Sequence, residues 1–247
     1  MKVPVYKIMV ENRSGRPNTY IVSQDPPQTN EGASAKSLPL VITRIEAPPE
    51  STANFTIHRP SPYFAWVMIS HGEPSHGVAT SMTLNKAVKL GEMHDGTLTP
   101  GTTLQFDFKD RMPNFSHAEH IADQSGPGTF AIQTSSDFTR DDIRSSKLVL
   151  LLRLTTKDGS LTFVYPDHML IGVGDDQRPW SAFAPEPAMT YTLQPKTIFY
   201  LYAMNHEERS ILDVTVLSEG LKLDFTGDQD YQVRVVHEPS GKLTLQE

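Results

Sequence analysis

Short runs of apolar residues, separated by Gly, Pro, Asn and Asp, recur along the whole chain. The clearest run covers residues 148–152, and a reversal at residues 157–159 separates it from a second run at residues 161–165. Asp-Gly between two such runs favours a hairpin, because glycine adopts the positive φ of a tight turn without steric cost. Such short runs suit strands that are covered on both faces. Residues 147–174 are therefore predicted to form a central buried hairpin.

Alternating apolar and polar positions predict further strands in the rest of the chain. No segment long enough for an ordinary helix keeps the helical period. The predicted class is all-β, an antiparallel β-sandwich architecture with very little helix. The predicted strands cover residues 3–10, 18–23, 38–45, 54–58, 63–70, 78–84, 86–90, 101–108, 128–134, 169–173, 196–204, 211–217, 221–225, 231–237 and 242–245.

An internal echo joins the two halves of the sequence. Residues 64–73 align with residues 199–208 without a gap and share the Phe, the His and the final Glu. Further on, residues 82–84 resemble residues 214–216, and residues 88–90 resemble residues 221–223. Duplication of one unit explains these matches, and so does the shared composition of short β segments.

The echo predicts two related β-sandwich units in tandem, each of a normal domain size. The first unit is expected at residues 1–110 and the second at residues 129–247. Residues 111–128 between them have no sustained periodicity and are predicted to form a linker or a lid loop.

Composition limits the partners. The chain has 247 residues, a net charge of −7 and no cluster of Lys or Arg, so neither nucleic acid nor an anionic membrane surface is an expected partner. Cysteine is absent, which excludes disulfides and thiolate metal sites. A homodimer is left open.

The N-terminal residues contain no apolar stretch long enough for a signal peptide, and no long apolar run occurs elsewhere. These features predict a soluble, cytoplasmic chain. Three Asn-x-Ser/Thr sequons, at Asn12, Asn54 and Asn114, leave secretion open.

His71-Gly72-Glu73 directly follows an apolar strand. His-x-Asp/Glu with a distant His is the ligand order of the two-His, one-carboxylate triad. With His117, His120 or His168 as the distant ligand, these residues resemble the iron and 2-oxoglutarate dioxygenases, which implies a metal-dependent oxygenase. No Arg after the distant His stands in a convincing position to bind the co-substrate, and His206-Glu207-Glu208 recurs at the equivalent point of the echo, as polar strand-end residues would. No metal ligand is therefore assigned.

Two further groups offer acid–base chemistry. His117, Glu119 and His120 lie in the 111–128 segment, which is either a solvated loop or a lid that carries an acid or base over a pocket. Asp167 precedes His168 and would orient its ring, although neighbouring residues of a strand point to opposite faces. There is no Gly-x-Ser-x-Gly elbow and no phosphate-binding glycine loop, so neither a serine nucleophile nor a cofactor is predicted.

Aromatic residues crowd into a few strands and loops. Most must pack in a core, but an aromatic pocket with a polar rim is also the usual form of an organic-ligand site. The predicted ligand-binding residues are Trp66, Tyr165, Trp180, Tyr200 and Tyr202.

These observations leave three hypotheses. The first is a small-molecule site in an aromatic pocket or a cleft between units, with cofactor-free acid–base chemistry of the isomerase, cyclase or dehydratase type. Its catalytic candidates are His71, Glu73, His117, Asp167 and His168. The second is a carbohydrate- or protein-binding module without catalysis, and the third is the metal-dependent oxygenase that uses His71 and Glu73.

Overall fold

The computed structural model describes residues 5–29, 37–58, 62–109, 112–117, 125–140, 143, 168–227 and 231–246. Almost every element in these ranges is a strand, so the predicted all-β class is confirmed. Residues 147–167, which include the turn of the predicted central hairpin, lie outside the described residues. Within the described ranges, no helix has the length and apolar character needed to cross a membrane.

In the described ranges strands follow one another, and a short helix, α1 (Val214–Leu217), lies between β17 and β18. The strands are β1 (Val5–Asn12), β2 (Asn18–Gln24), β3 (Gln28–Thr29), β4 (Leu38–Pro39), β5 (Val41–Ala47), β6 (Thr52–His58), β7 (Tyr63–Ser70), β8 (Thr80–Val88), β9 (Glu92–His94), β10 (Thr97–Thr99), β11 (Thr103–Lys109), β12 (Met112–His117), β13 (Phe130–Thr134), β14 (His168–Gly174), β15 (Pro179–Phe183), β16 (Thr190–Gln194), β17 (Ile198–Ala203), β18 (Leu221–Asp224), β19 (Tyr231–His237) and β20 (Leu243–Gln246).

Sheet I has the order β20-β19-β1-β6 and joins strands from near both ends of the chain. Its β1–β19 pair is parallel, whereas β1–β6 and β19–β20 are antiparallel. In β6, Ala53, Phe55 and Ile57 are buried, and the residues between them are exposed. This period of two gives the sheet one core face and one solvent face.

Sheet II has the order β18-β17-β2-β5 and packs on sheet I. The ring of Tyr6 on β1 stacks on Phe225 after β18, with centroids 4.7 Å apart, and also contacts Phe199 on β17. Fully burying one large apolar side chain contributes roughly 1.5–3 kcal/mol. The two sheets therefore form sandwich-like layers held by aromatic packing.

Sheet III has the order β4-β15-β14-β7-β8 and sheet IV the order β12-β11-β13-β16-β3. Phe183 on β15 contacts Tyr191 on β16, with centroids 4.7 Å apart, so these two sheets also face each other. Buried residues of all four sheets belong to one continuous core cluster. β9 and β10 form a separate exposed hairpin.

One extended run connects sheets II and III. Its first part, β4, pairs with β15 in sheet III, and its second part, β5, pairs with β2 in sheet II. Between them the amide of Leu40 donates to the carbonyl of Trp180. Trp180 also contacts Phe199 edge-on across the junction. The candidate site lies beside β5, the second part of this run, which contributes Arg44 and Glu46.

Several sequence-based boundaries differ from the structure. Each of the four larger sheets combines strands from both predicted units, so the tandem division is not confirmed. Part of the predicted linker or lid forms β12, which pairs with β11. The strand predicted at residues 211–217 is wrong, because residues 214–217 form α1. The two strands predicted at 78–84 and 86–90 are one strand, β8.

Candidate functional site

Residues 209–212, which we call the clasp, are hydrogen-bonded to the run that connects sheets II and III. The amide of Arg209 donates to the carbonyl of Val41 at 2.8 Å, and the amide of Val41 donates to Ser210 at 3.0 Å. The amide of Leu212 donates to the carbonyl of Pro39 at 2.9 Å. The segment after β17 is thereby fixed beside β4 and β5.

The opposite side of the clasp pairs with the chain just before β8. The amide of Ile211 donates to Val78 at 2.9 Å, and the amide of Gly77 donates to Ile211 at 2.8 Å. The amide and the hydroxyl of Thr80 both donate to the carbonyl of Arg209. The clasp therefore joins the corner after β17 to the corner after β7, which are the two corners that the sequence echo aligned.

Two histidines meet where these corners touch. The rings of His76 and His206, which we call the histidine pair, lie edge to face with centroids 4.6 Å apart. The amide of Asp213 donates to Nδ1 of His76 at 3.3 Å. Because an amide N–H only donates, this geometry requires an unprotonated Nδ1 on His76. Burial, and to a smaller extent the neighbouring His76, lower the pKa of His206.

An open groove of about 550 Å³ borders the same corner, and we call it the charged groove. It is lined by Arg44, Glu46, Glu207, Glu208 and Arg209. The guanidinium of Arg44 contacts a carboxylate oxygen of Glu46 at 2.5 Å and the carboxylate of Glu207 at 3.4 Å. Arg44 is thus neutralised by two glutamates and forms a wall of the groove.

The other two charges of the groove are not neutralised in this way. One oxygen of Glu208 accepts the backbone amide of Arg44 at 3.2 Å, but its carboxylate forms no ion pair with the described residues. The guanidinium of Arg209 has neither a hydrogen bond nor an ion pair with the part of the chain that the structure describes. An anion and a cation, adjacent in sequence, therefore line the groove without charged partners.

Arg209 occupies an unfavourable backbone conformation. Its φ is 66°, in the left-handed region that costs a residue with a side chain roughly 1–2 kcal/mol. Its amide and its carbonyl are both held by the clasp. Strain of this kind persists only where the surrounding structure imposes it, and it often marks functional sites.

Three predicted site residues lie at the corner after β7. Nε2 of His71, just after β7, is 2.6 Å from the hydroxyl of Ser81, and the exposed Glu73 follows in the same turn. His168 begins β14 opposite Ser70, and its Nδ1 donates to the carbonyl of Gly72 at 3.1 Å. His71, Glu73 and His168 therefore belong to one corner, as elements of neighbouring strands.

The remaining catalytic candidates are not brought to this site by the described structure. Asp167, Glu119 and His120 lie outside the described residues, and of His117 only its backbone position in β12 is described. No group of three or more His, Asp or Glu side chains in the described ranges is arranged to hold a metal ion. The oxygenase hypothesis thus lacks a complete ligand set among these residues.

Most of the described aromatic candidates are packed inside the protein. Trp180 is 1% exposed and Tyr202 is 2% exposed, while Trp66 packs with Met68 and Leu170 in a second buried cluster. Tyr200 is half-buried and stacks on Tyr202, and Tyr165 lies outside the described residues. These side chains contribute to packing, and none of them lines the charged groove.

Sequence reasoning missed Arg44, Arg209 and His76. The sequence echo aligned His206-Glu207-Glu208 with His71-Gly72-Glu73, but both segments were interpreted as polar residues at strand ends. The contact between the corners depends on backbone pairing of three segments that are far apart in sequence. No local pattern predicts such pairing.

Comparison with known proteins gives no relative for the chain. None of the protein-family models, curated proteins or solved structures with which it was compared matches it.

Proposed function

We propose that the charged groove binds a small zwitterionic organic molecule. Its carboxylate is bound by Arg209 and its ammonium group by Glu208. The observation that carries this proposal is the pair of adjacent opposite charges that line the groove and lack ion-pair partners among the described residues.

The chemistry of the two side chains fits such a ligand. A guanidinium donates two parallel hydrogen bonds to a carboxylate, and these bonds are stronger than those between neutral groups. A carboxylate in turn accepts from an ammonium group. Arg44 does not compete for the ligand, because Glu46 and Glu207 already engage it. A volume of about 550 Å³ lies within the usual range for small-molecule sites.

The proposal keeps the small-molecule hypothesis but moves the site from the aromatic residues to the groove. A sugar-binding strip needs exposed aromatic faces, whereas Trp180 and Tyr202 are almost fully buried. His206 directly precedes Glu207 but is not among the residues that line the groove, so the proposal assigns binding and no proton-transfer step.

Saturation-transfer NMR with an equimolar pool of L-amino acids tests the proposal at neutral pH. We expect signal transfer to at least one pool member. Removing the charge in Arg209→Gln or Glu208→Gln should weaken binding about tenfold or more, because each loses a charge-assisted hydrogen bond of about 1.5–3 kcal/mol.

The matched controls are Arg13→Gln and Glu11→Gln, which remove the same charges from an exposed ion pair outside the groove. Both should bind as the unaltered protein does. No transfer to any pool member, or equal transfer in Arg209→Gln, would overturn the proposal.

A further inference from the structure

We propose that the histidine pair makes the clasp a pH-sensitive latch, so that acid separates residues 209–212 from residues 77–80 and frees the carbonyl of Arg209, a residue that lines the charged groove. The separation of these segments does not depend on the ligand. Its consequence for ligand binding rests on the proposed function.

The packing of His206 disfavours the charged form of its ring. Its half-buried ring lies against His76 and beside Gly77, where an added Cβ would contact the ring. An imidazolium at this place would lose part of its hydration and would lie beside the ring of His76. Burial and His76 both lower the pKa of His206, in agreement with this packing. Protons therefore bind the separated corner better than the closed one, and acid favours separation.

The hydrogen bond between Asp213 and His76 also depends on an unprotonated ring nitrogen. The amide of Asp213 donates to Nδ1 of His76. Protonation of Nδ1 sets two N–H groups against each other and removes this bond. His76 is exposed, so its imidazolium is easily hydrated once the ring moves away.

The charges around the pair do not cancel this effect. The Asp213 carboxylate accepts the amide and hydroxyl of Thr215 at the start of α1. From sheet II, Arg44 pairs with Glu207, whose side chain is 75% exposed and therefore strongly screened. Arg209 adds a positive charge on the clasp itself.

The remaining carboxylates near the histidine pair belong to Glu208 and Glu73. Glu208 accepts the amide of Arg44, and the exposed Glu73 lies on the turn that leads to His76. Neither residue has an ion pair or hydrogen bond with the histidine pair. The carboxylates of Glu73, Glu207 and Glu208 are thus not bonded to either ring and do not favour its charged form in the closed corner.

Amide hydrogen exchange followed by NMR tests the latch without any ligand. The amides of Gly77 and Ile211 are the reporters, because they donate across the junction that opens. Between about pH 7.5 and about pH 5, where histidine titrates, we compare their protection after correction for intrinsic exchange. We expect their protection to fall relative to that of the amides of β1, because acid favours the separated corner.

His206→Gln should abolish this fall, and His76→Gln should reduce it. His94→Gln is the control, because His94 is exposed on the β9–β10 hairpin and should leave the fall unchanged. The latch would be overturned if acid left the protection of these amides unchanged in the unaltered protein. It would also be overturned if His206→Gln and His76→Gln both showed the same fall as the unaltered protein. Zwitterion binding without separation would overturn the latch alone, and separation without binding would overturn only the proposed function.

Discussion

The indole N–H of Trp66 donates to the backbone carbonyl of Asp175 at 2.9 Å, and the carboxylate of the same residue accepts the indole N–H of Trp180 at 3.3 Å. Both tryptophans of the chain are therefore held by the residue at which β14 turns toward β15. The carboxylate also accepts the amides of Gln177 and Arg178. The indoles thus belong to the framework of sheet III.

Replacing Asp175 should destabilise the protein. Asp175→Ala removes the acceptor of a buried indole and of two turn amides, and a buried donor without a partner costs about 1–3 kcal/mol. Urea unfolding measures the loss in the free energy of unfolding. Asp176→Ala is the control, because Asp176 is exposed and accepts from Asn85 only through its backbone carbonyl. Equal urea midpoints for the two variants would contradict this role of Asp175.

Local patterns predicted the strands well where packing follows a simple period. The predicted strand at residues 63–70 coincides with β7, and the strand predicted at residues 54–58 is part of β6. The sequence Val-Thr-Val-Leu favours a strand, yet it forms α1. The side chain of Asp213 caps that helix by accepting the amide of Thr215, and this cap outweighs the weak propensity of β-branched residues.

The candidate site was predicted only in part. His71, Glu73 and His168 stand next to strand ends, so their position at one edge follows from the strands themselves. The contact between His76 and His206 does not follow, because it requires the clasp to pair with β4, β5 and the chain before β8. Trp66 and Trp180 were predicted as ligand residues because composition does not distinguish an aromatic core from an aromatic pocket.

Acid should destabilise the protein through a second histidine, His237. Its Nδ1 lies 2.9 Å from the hydroxyl of the fully buried Tyr20, and burial raises the pKa of Tyr20 to about 12, so the phenol stays neutral. Burial lowers the pKa of His237 below its unfolded value. The folded state therefore binds fewer protons, and the stabilisation is complete above about pH 6.5 and is lost as the pH falls below that value.

Urea unfolding measured above and below about pH 6.5 checks the predicted loss of stability through His237. The free energy of unfolding should fall toward acid, and His237→Gln should make the fall smaller. Tyr20→Phe should cost about 0.5–1.5 kcal/mol near neutral pH, because it removes one hydrogen bond. An identical pH dependence in His237→Gln and in the unaltered protein would assign the acid effect to other groups.

Because the backbone of Arg209 is strained, we expect a glycine at this position to give a more stable protein than an alanine, which is the reverse of the usual order. Arg209→Gly relieves the left-handed conformation, whereas Arg209→Ala keeps it, so the glycine variant should be more stable by about 1 kcal/mol. Thermal or urea unfolding of the two variants measures this difference. A more stable alanine variant would show that the backbone leaves the left-handed region in solution.

The most direct test of the account is an amide chemical-shift titration of the protein with the equimolar pool of L-amino acids. The proposed binding to the charged groove predicts shifts concentrated at the amides of Arg44, Glu207, Glu208 and Arg209, and their loss in Arg209→Gln. Shifts concentrated at the amides around Trp66 and Trp180, or no shifts at all, would contradict the account.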